Sequence, residues 1–180
     1  MHIITEVKTA SPFGWRSDKS WDELFEIADK IGDMISVHTD PRWEGSLELV
    51  AKARGLTSKP ILAKGIHAKD KDISRALAAG ADFVLVVGRV PKTLADRCLI
   101  EPTTLDELKE LPTNLKAVWN SRDLRTGGKK RHGFSEARQV FSGWLCQASN
   151  ITAMTDVDPS ADAVLVGSHL AGFADSIKSC

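Results

Sequence analysis

The sequence predicts an α/β protein of the (β/α)8 (TIM) barrel class, in which eight parallel strands close into a cylinder. Apolar runs of strand length alternate with helix-like segments along the chain, as expected for consecutive βα units. The run at 81–88 is echoed at 161–167, four predicted strands later, and half a turn of such a barrel relates those positions. A chance match between two valine-rich strands would also produce this echo.

The predicted strands are short, rich in branched apolar residues and bounded by turn residues. They cover residues 2–8, 33–38, 59–64, 82–88, 97–101, 115–119, 143–148 and 162–167.

Helix starts are indicated by residues that can cap the first turn. Ser20 and Glu23 can form a capping box before a segment with apolar residues at helical spacing. Thr104 and Glu107 predict a second capping box, and Ser46 can cap a third helix.

The chain, at 180 residues, is short for eight βα units, because such barrels usually need at least about 200 residues. We therefore expect one minimal barrel domain over 1–180, with shortened or missing helices after strands 4 and 7. Little sequence separates the fourth strand from the fifth, or the seventh from the eighth.

Charge and composition narrow the function classes. Lys plus Arg and Asp plus Glu are both 24, so no global field favours nucleic acid or an anionic membrane. Cys98, Cys146 and Cys180 are far apart and lack zinc-ligand spacing, which predicts a reducing compartment. Without a leader or a run of 18 apolar residues, we expect a cytoplasmic protein.

Polar residues lie where the predicted strands end. Glu6 and Lys8 share one face of the first strand, because side chains two residues apart point the same way. Later strands end in further polar residues: Lys64, Glu101, Asn120 and, two residues on, Arg122. A parallel barrel gathers such groups at its carboxyl end, where active sites form.

Six segments occur in a recognisable order. They are Glu6-Val7-Lys8 with Ala10-Ser11-Pro12, Ile35-Ser36-Val37-His38-Thr39-Asp40, Gly45-Ser46-Leu47, Lys64, Asn120-Ser121-Arg122-Asp123-Leu124 and Val166-Gly167. Together they resemble the indole-3-glycerol phosphate synthase family, over nearly the whole chain.

The resemblance implies a lyase of tryptophan biosynthesis. The family condenses 1-(2-carboxyphenylamino)-1-deoxyribulose 5-phosphate, with loss of carbon dioxide and water, to indole-3-glycerol phosphate. No metal or organic cofactor is implied. The expected partner is this small-molecule sugar phosphate, with no nucleic acid and no membrane. A homo-oligomer, or a partner that covers the barrel mouth, is left open.

The resemblance also implies roles for the strand-end residues. Lys64 would be the general acid, and Lys8 would pair with the substrate carboxylate or share the acid role. Glu101 would be the general base, and Glu6 would hold the Lys8 ammonium. Asn120 and Arg122 would position the ring-closing atoms. The alternative for Glu101 is a carboxylate at the start of the following helix, facing its dipole.

The phosphate site implied by the resemblance comprises Ser11, Ser149, Gly167 and Ser168. The loops after strands 7 and 8 are also where barrels commonly bind phosphate.

Four departures from the family pattern argue against a simple transfer of activity. We expect the helical extension that precedes the first strand in the family to be missing here, because the first predicted strand follows Met1 almost directly. Ala148 replaces a substrate-binding glutamate, and Gly65-Ile66 replace an aspartate and a phenylalanine after Lys64. Phe13 replaces a second serine, and it or Trp15 could supply the lost ring contact.

Two alternative functions follow. One is a barrel that binds a related sugar phosphate but is catalytically altered or silent. The other is a different isomerase or lyase, because barrels host many chemistries. Among the remaining polar residues, His38 is interpreted as a satisfied buried or interface histidine. The basic cluster at 129–132 could bind phosphate or nucleic acid, but a solvated loop is the favoured interpretation.

Overall fold

A computed structural model describes residues 1–178 and shows a closed barrel of eight parallel strands in chain order. The strands are β1 His2–Val7, β2 Met34–His38, β3 Ile61–Lys64, β4 Phe83–Val87, β5 Cys98–Glu101, β6 Lys116–Asn120, β7 Leu145–Ala148 and β8 Ala163–Val166. The barrel closes between β1 and β8, with His2 opposite Ala163 and Thr5 opposite Val166. The predicted (β/α)8 barrel is confirmed, and all eight strands lie where the sequence placed them.

The helices lie between the strands and after β8, and they are unequal in length. They are α1 Trp21–Ile31, α2 Leu47–Leu56, α3 Asp70–Ala78, α4 Leu105–Glu110, α5 Phe134–Val140 and α6 Leu170–Lys178. After β4 and β7 the described chain has only the short 3-10 turns Ala95–Arg97 and Met154–Asp156. The prediction of shortened or missing helices after strands 4 and 7 is therefore confirmed.

The two predicted capping boxes have different outcomes. Ser20 and Glu23 form theirs, since the Ser20 hydroxyl accepts from Glu23 N and the Glu23 carboxylate accepts from Ser20 N. The hydroxyl of Thr104 accepts from Glu107 N at 3.2 Å, but the Glu107 carboxylate accepts from Thr103 N instead of Thr104 N. The second capping box is thus wrong in its reciprocal half, because Glu107 reaches one residue further back.

Apolar side chains pack in two layers, one inside the barrel and one between the strands and the helices. Leu62, Leu85 and Leu165 belong to the inner layer. On β1, Thr5 points outward and donates from its hydroxyl to Ala28 O in α1 at 3.0 Å. Because side chains alternate along a strand, Glu6 faces the barrel interior.

Two of the three cysteines, Cys98 and Cys146, are buried and unpaired. Cys180 lies outside the described residues. Within residues 1–178, no helix has the length and apolar character needed to cross a membrane.

Candidate active site

A cleft of about 740 Å³, including its opening to solvent, lies at the carboxyl end of the strands. Every candidate site residue lines this cleft: Glu6, Lys8, Ser11, Lys64, Glu101, Asn120, Arg122, Ser149, Gly167 and Ser168. The barrel therefore brings together residues as distant in the sequence as Glu6 and Ser168.

A buried ion pair lies at the centre of the cleft. Lys64 Nζ donates to Glu6 Oε1 at 2.8 Å, and the Lys64 side chain is 14% exposed. Burial opposes the charged lysine, but the carboxylates of Glu6 and Glu101 outweigh it and raise the pKa of Lys64. Burial likewise opposes the Glu6 carboxylate, but Lys64 and His38 hold its pKa well below the ordinary value. Both groups are therefore charged at neutral pH.

Gly167 at the end of β8 makes room for this carboxylate. A Cβ at position 167 would overlap Glu6 Oε2 and lie 2.9 Å from Glu6 Cδ. Only glycine leaves the space that Glu6 occupies.

Lys8 is a second lysine with a different environment. Its Nζ donates to Ser168 Oγ at 3.0 Å and lies 5.1 Å from the centre of the Trp15 ring. Burial lowers its pKa to about 8, with Lys64 and Arg122 acting in the same direction against Glu6. Lys8 therefore lies within reach of the loop after β8, and it titrates near neutral pH.

Glu101 lies in a hydrogen-bonded row with Asn120 and Ser149. Asn120 Nδ2 donates to Glu101 Oε1 at 2.9 Å, and Ser149 Oγ donates to Asn120 Oδ1 at 2.6 Å. Burial raises the pKa of Glu101, although Lys64 and Asn120 oppose the shift. Glu101 is 2% exposed and lines the cleft.

The polar groups proposed for phosphate lie on three loops. Ser11 follows β1 and its hydroxyl accepts from Phe13 N at 3.2 Å. Gly167 and Ser168 immediately precede α6. Ser149 adopts a left-handed backbone with φ 70°, and its hydroxyl is already bonded to Asn120.

Arg122 begins the loop between β6 and α5. Its backbone N donates to Asn120 Oδ1 at 3.0 Å, and it forms an antiparallel bridge with Lys129. Lys129 is exposed, whereas Lys130 turns inward over the Trp119 ring at 4.5 Å. The interpretation of the basic cluster as a solvated loop is therefore wrong for Lys130.

The cleft also contains residues that were not assigned to the site from sequence, among them His38, Trp43 and Leu124. His38 is buried as predicted, but it is not satisfied, since neither of its ring nitrogens makes a hydrogen bond of ordinary geometry among the described residues. The sequence did contain a signal that His38 could face the cleft: Ser36 and His38 are two residues apart on β2, the same spacing as Glu6 and Lys8 on β1.

Three of the four departures from the family pattern lie in or beside the cleft, and Gly65 and Ile66 line it directly. Phe13 lines the cleft, with its ring edge-on to Trp43 at 6.4 Å. Ala148 is 2% exposed and packs in the inner apolar layer.

The arrangement supplies three cations (Lys8, Lys64 and Arg122), a buried base and backbone N–H groups near one cleft. Lys64 and Lys8 can donate protons or bind anions, and Glu101 can accept a proton. Among residues 1–178, no cluster of three histidine, cysteine or acidic side chains could hold a metal ion.

The sequence and the fold of this chain were compared with those of known proteins. The model of the indole-3-glycerol phosphate synthase family matches residues 1–179. The Leifsonia xyli indole-3-glycerol phosphate synthase is 30% identical, with 93% of this chain and 74% of the relative covered. The Aquifex aeolicus enzyme of that name is 36% identical, over 69% of this chain and 55% of the relative.

The chain covers only part of several other relatives. It spans 36% of the Campylobacter curvus indole-3-glycerol phosphate synthase, at 33% identity, and 48% of the one from Nautilia profundicola, at 29%. A solved 3-hexulose-6-phosphate synthase superimposes with a TM-score of 0.71 at 16% identity, covering 99% of both chains, and this likeness shows the fold alone. Since the family model matches nearly its full length, the chain belongs to the indole-3-glycerol phosphate synthase family.

Proposed function

We propose that this chain closes the indole ring of 1-(2-carboxyphenylamino)-1-deoxyribulose 5-phosphate, releasing carbon dioxide and water to form indole-3-glycerol phosphate. This carbon–carbon lyase reaction belongs to tryptophan biosynthesis. The observation that supports it most is the buried Lys64–Glu6 pair, in one cleft with Lys8 and Glu101.

Lys64 would act as the acid in the first half of the reaction. The ring carbon that bears the carboxylate attacks the substrate carbonyl, whose oxygen takes a proton from Lys64. Glu6 keeps that ammonium charged and fixed in direction. Loss of carbon dioxide then leaves its electron pair in the ring and restores aromaticity.

Glu101 would act in the dehydration that follows. Its carboxylate takes the proton from the sugar carbon next to nitrogen and passes it to the new hydroxyl, which leaves as water. A raised pKa suits a group that must both accept and return a proton near neutral pH. Asn120 holds Glu101 in place, and solvent reprotonates Lys64.

Two binding sites would hold the substrate across the cleft. Lys8 would bind the anthranilate carboxylate with Arg122, because both are cations that line the cleft and Arg122 is close enough to lower the pKa of Lys8. Ser11, Ser168 and the backbone of Gly167 bind the phosphate near the start of α6, where N–H groups favour anions. Ser149 joins them if its hydroxyl turns away from Asn120.

Lys64→Met and Lys71→Met form the matched test pair. Lys71 is exposed on α3 and is not among the residues that line the cleft, so its loss should leave turnover unchanged. Purified parent protein given the substrate should develop indole fluorescence, and Lys64→Met should not. Absence of fluorescence from the parent at any enzyme concentration would reject the activity.

A second candidate, a barrel that binds the sugar phosphate without turnover, is favoured by Ala148. An apolar methyl group cannot accept a hydrogen bond or stabilise a developing cation. Calorimetric titration with the substrate separates the two, because a silent binder gives binding heat with no reaction heat after it.

A further inference from the structure

His38 is the buried titratable residue of the cleft that the proposed reaction does not use. Its Nε2 lies 2.5 Å from Glu6 Oε1, the same oxygen that Lys64 contacts at 2.8 Å. The His38 side chain is 6% exposed, and among residues 1–178 neither Nδ1 nor Nε2 makes a hydrogen bond of ordinary geometry, so the approach of Nε2 to Glu6 is a close contact with no other partner competing for it. Because an ionised carboxylate only accepts, a hydrogen bond in this contact requires the proton on Nε2.

The loop after β2 holds the imidazole in this orientation. The Trp43 ring stacks on His38 at 5.4 Å with an interplanar angle of 4°. Ser46 N donates to His38 O at 3.0 Å, and a Cβ at Gly45 would lie 2.7 Å from His38 Cβ. With its backbone and its ring face both covered, His38 has little freedom to turn Nε2 away from Glu6.

We propose that His38 is a positioning residue that donates from Nε2 to Glu6 Oε1 and so fixes the carboxylate oxygen on which Lys64 rests. Two donors at Oε1 define its position, whereas one long lysine side chain would move with it. Burial lowers the pKa of His38, which keeps the ring neutral and leaves Nδ1 without a proton. The effect on turnover rests on the proposed ring closure, but the hydrogen bond does not.

The competing interpretation is that His38 only fills space beneath Trp43. His38→Leu keeps an apolar side chain there and removes the donor, whereas His38→Gln keeps an N–H donor. His2→Leu is the matched control, because His2 is exposed at the opposite end of the barrel.

The first test uses the wild-type protein without substrate. Nitrogen NMR of labelled histidine should show Nε2 protonated and Nδ1 unprotonated in His38 at neutral pH. Carboxyl-carbon NMR should show a higher pKa for Glu6 in His38→Leu than in the parent or in His2→Leu. A proton on Nδ1 instead, or an unchanged Glu6 titration, would overturn the proposal.

The second test measures turnover. Removing a hydrogen bond to a charged group predicts a loss of about 10- to 100-fold in kcat for His38→Leu, with a smaller change in KM. His38→Gln should recover most of the loss, and His2→Leu should match the parent. If leucine is as active as histidine, or glutamine no better than leucine, His38 is not a positioning residue.

The two tests separate this inference from the proposed function. If no variant closes the ring and the NMR results are as expected, the reaction is wrong while the His38–Glu6 hydrogen bond stands. If the parent turns over but the NMR results fail, only the role of His38 is wrong.

Discussion

Replacing Gly167 by alanine is expected to damage the site through a single methyl group. That methyl would overlap Glu6 Oε2 and press on Cδ at 2.9 Å. Glu6 cannot move aside freely, because Oε1 is held by Lys64 at 2.8 Å and lies 2.5 Å from His38 Nε2. The added methyl group must therefore strain β8 or separate Glu6 from its partners.

The size of the effect depends on which of these happens. Overpacking a close-packed interior costs about 1–3 kcal/mol. Separating a buried ion pair costs about 3–5 kcal/mol, because a charge is left without its partner. A loss of about 3 kcal/mol would lower Tm by about 6–12 °C in a chain of this size.

Thermal unfolding of Gly167→Ala beside Gly172→Ala measures this. Gly172 is exposed within α6, and a Cβ there would meet no atom within 4 Å. The same substitution at that position should stabilise the protein by about 0.4–1 kcal/mol, since alanine restricts the unfolded chain. If the unfolding temperature of Gly167→Ala equals or exceeds that of the parent, the added methyl group does not overlap Glu6. The same conclusion holds if the unfolding temperatures of both variants shift in the same direction.

Three further predictions follow from the site and the fold. The pKa of Lys8 is lowered to about 8, so Lys8 should lose its charge as pH rises through that value. In steady-state assays, KM for a carboxylate substrate should therefore increase over this pH range. In Lys8→Arg, KM should stay constant over the same range. The free energy of unfolding in urea should fall by about 3–5 kcal/mol in Lys64→Met, and the double variant with Glu6→Gln should recover part of that loss. If the effects of the two substitutions are additive, Lys64 and Glu6 do not interact. Ser20→Ala should cost about 1 kcal/mol through the broken α1 cap, a value that an unchanged Tm would contradict.

The strands and the strand-end residues were predictable because their signals are local. Branched apolar runs gave β1 to β8, and the two-residue period placed Glu6 and Lys8 on one face. Once the strands are parallel and closed, geometry brings Lys64 and Glu101 to the same end. The short connections after β4 and β7 followed from counting residues.

The contacts made by loops were not predictable in this way. His38 reaches Glu6 because the segment with Trp43 and Gly45 folds back over it, which no local pattern specifies. Lys130 leaves its charged neighbours to cover Trp119, since an aromatic face and Pro102 O are within its reach. Such side chains respond to surfaces that exist only after the barrel has closed.

The proposed ring closure is tested most directly with substrate labelled with carbon-13 at the anthranilate carboxyl. Ring closure at this site predicts one labelled carbon dioxide for each indole formed by the parent protein, and neither product from Lys64→Met. Indole formed without labelled carbon dioxide, or turnover that survives the loss of Lys64, would contradict it.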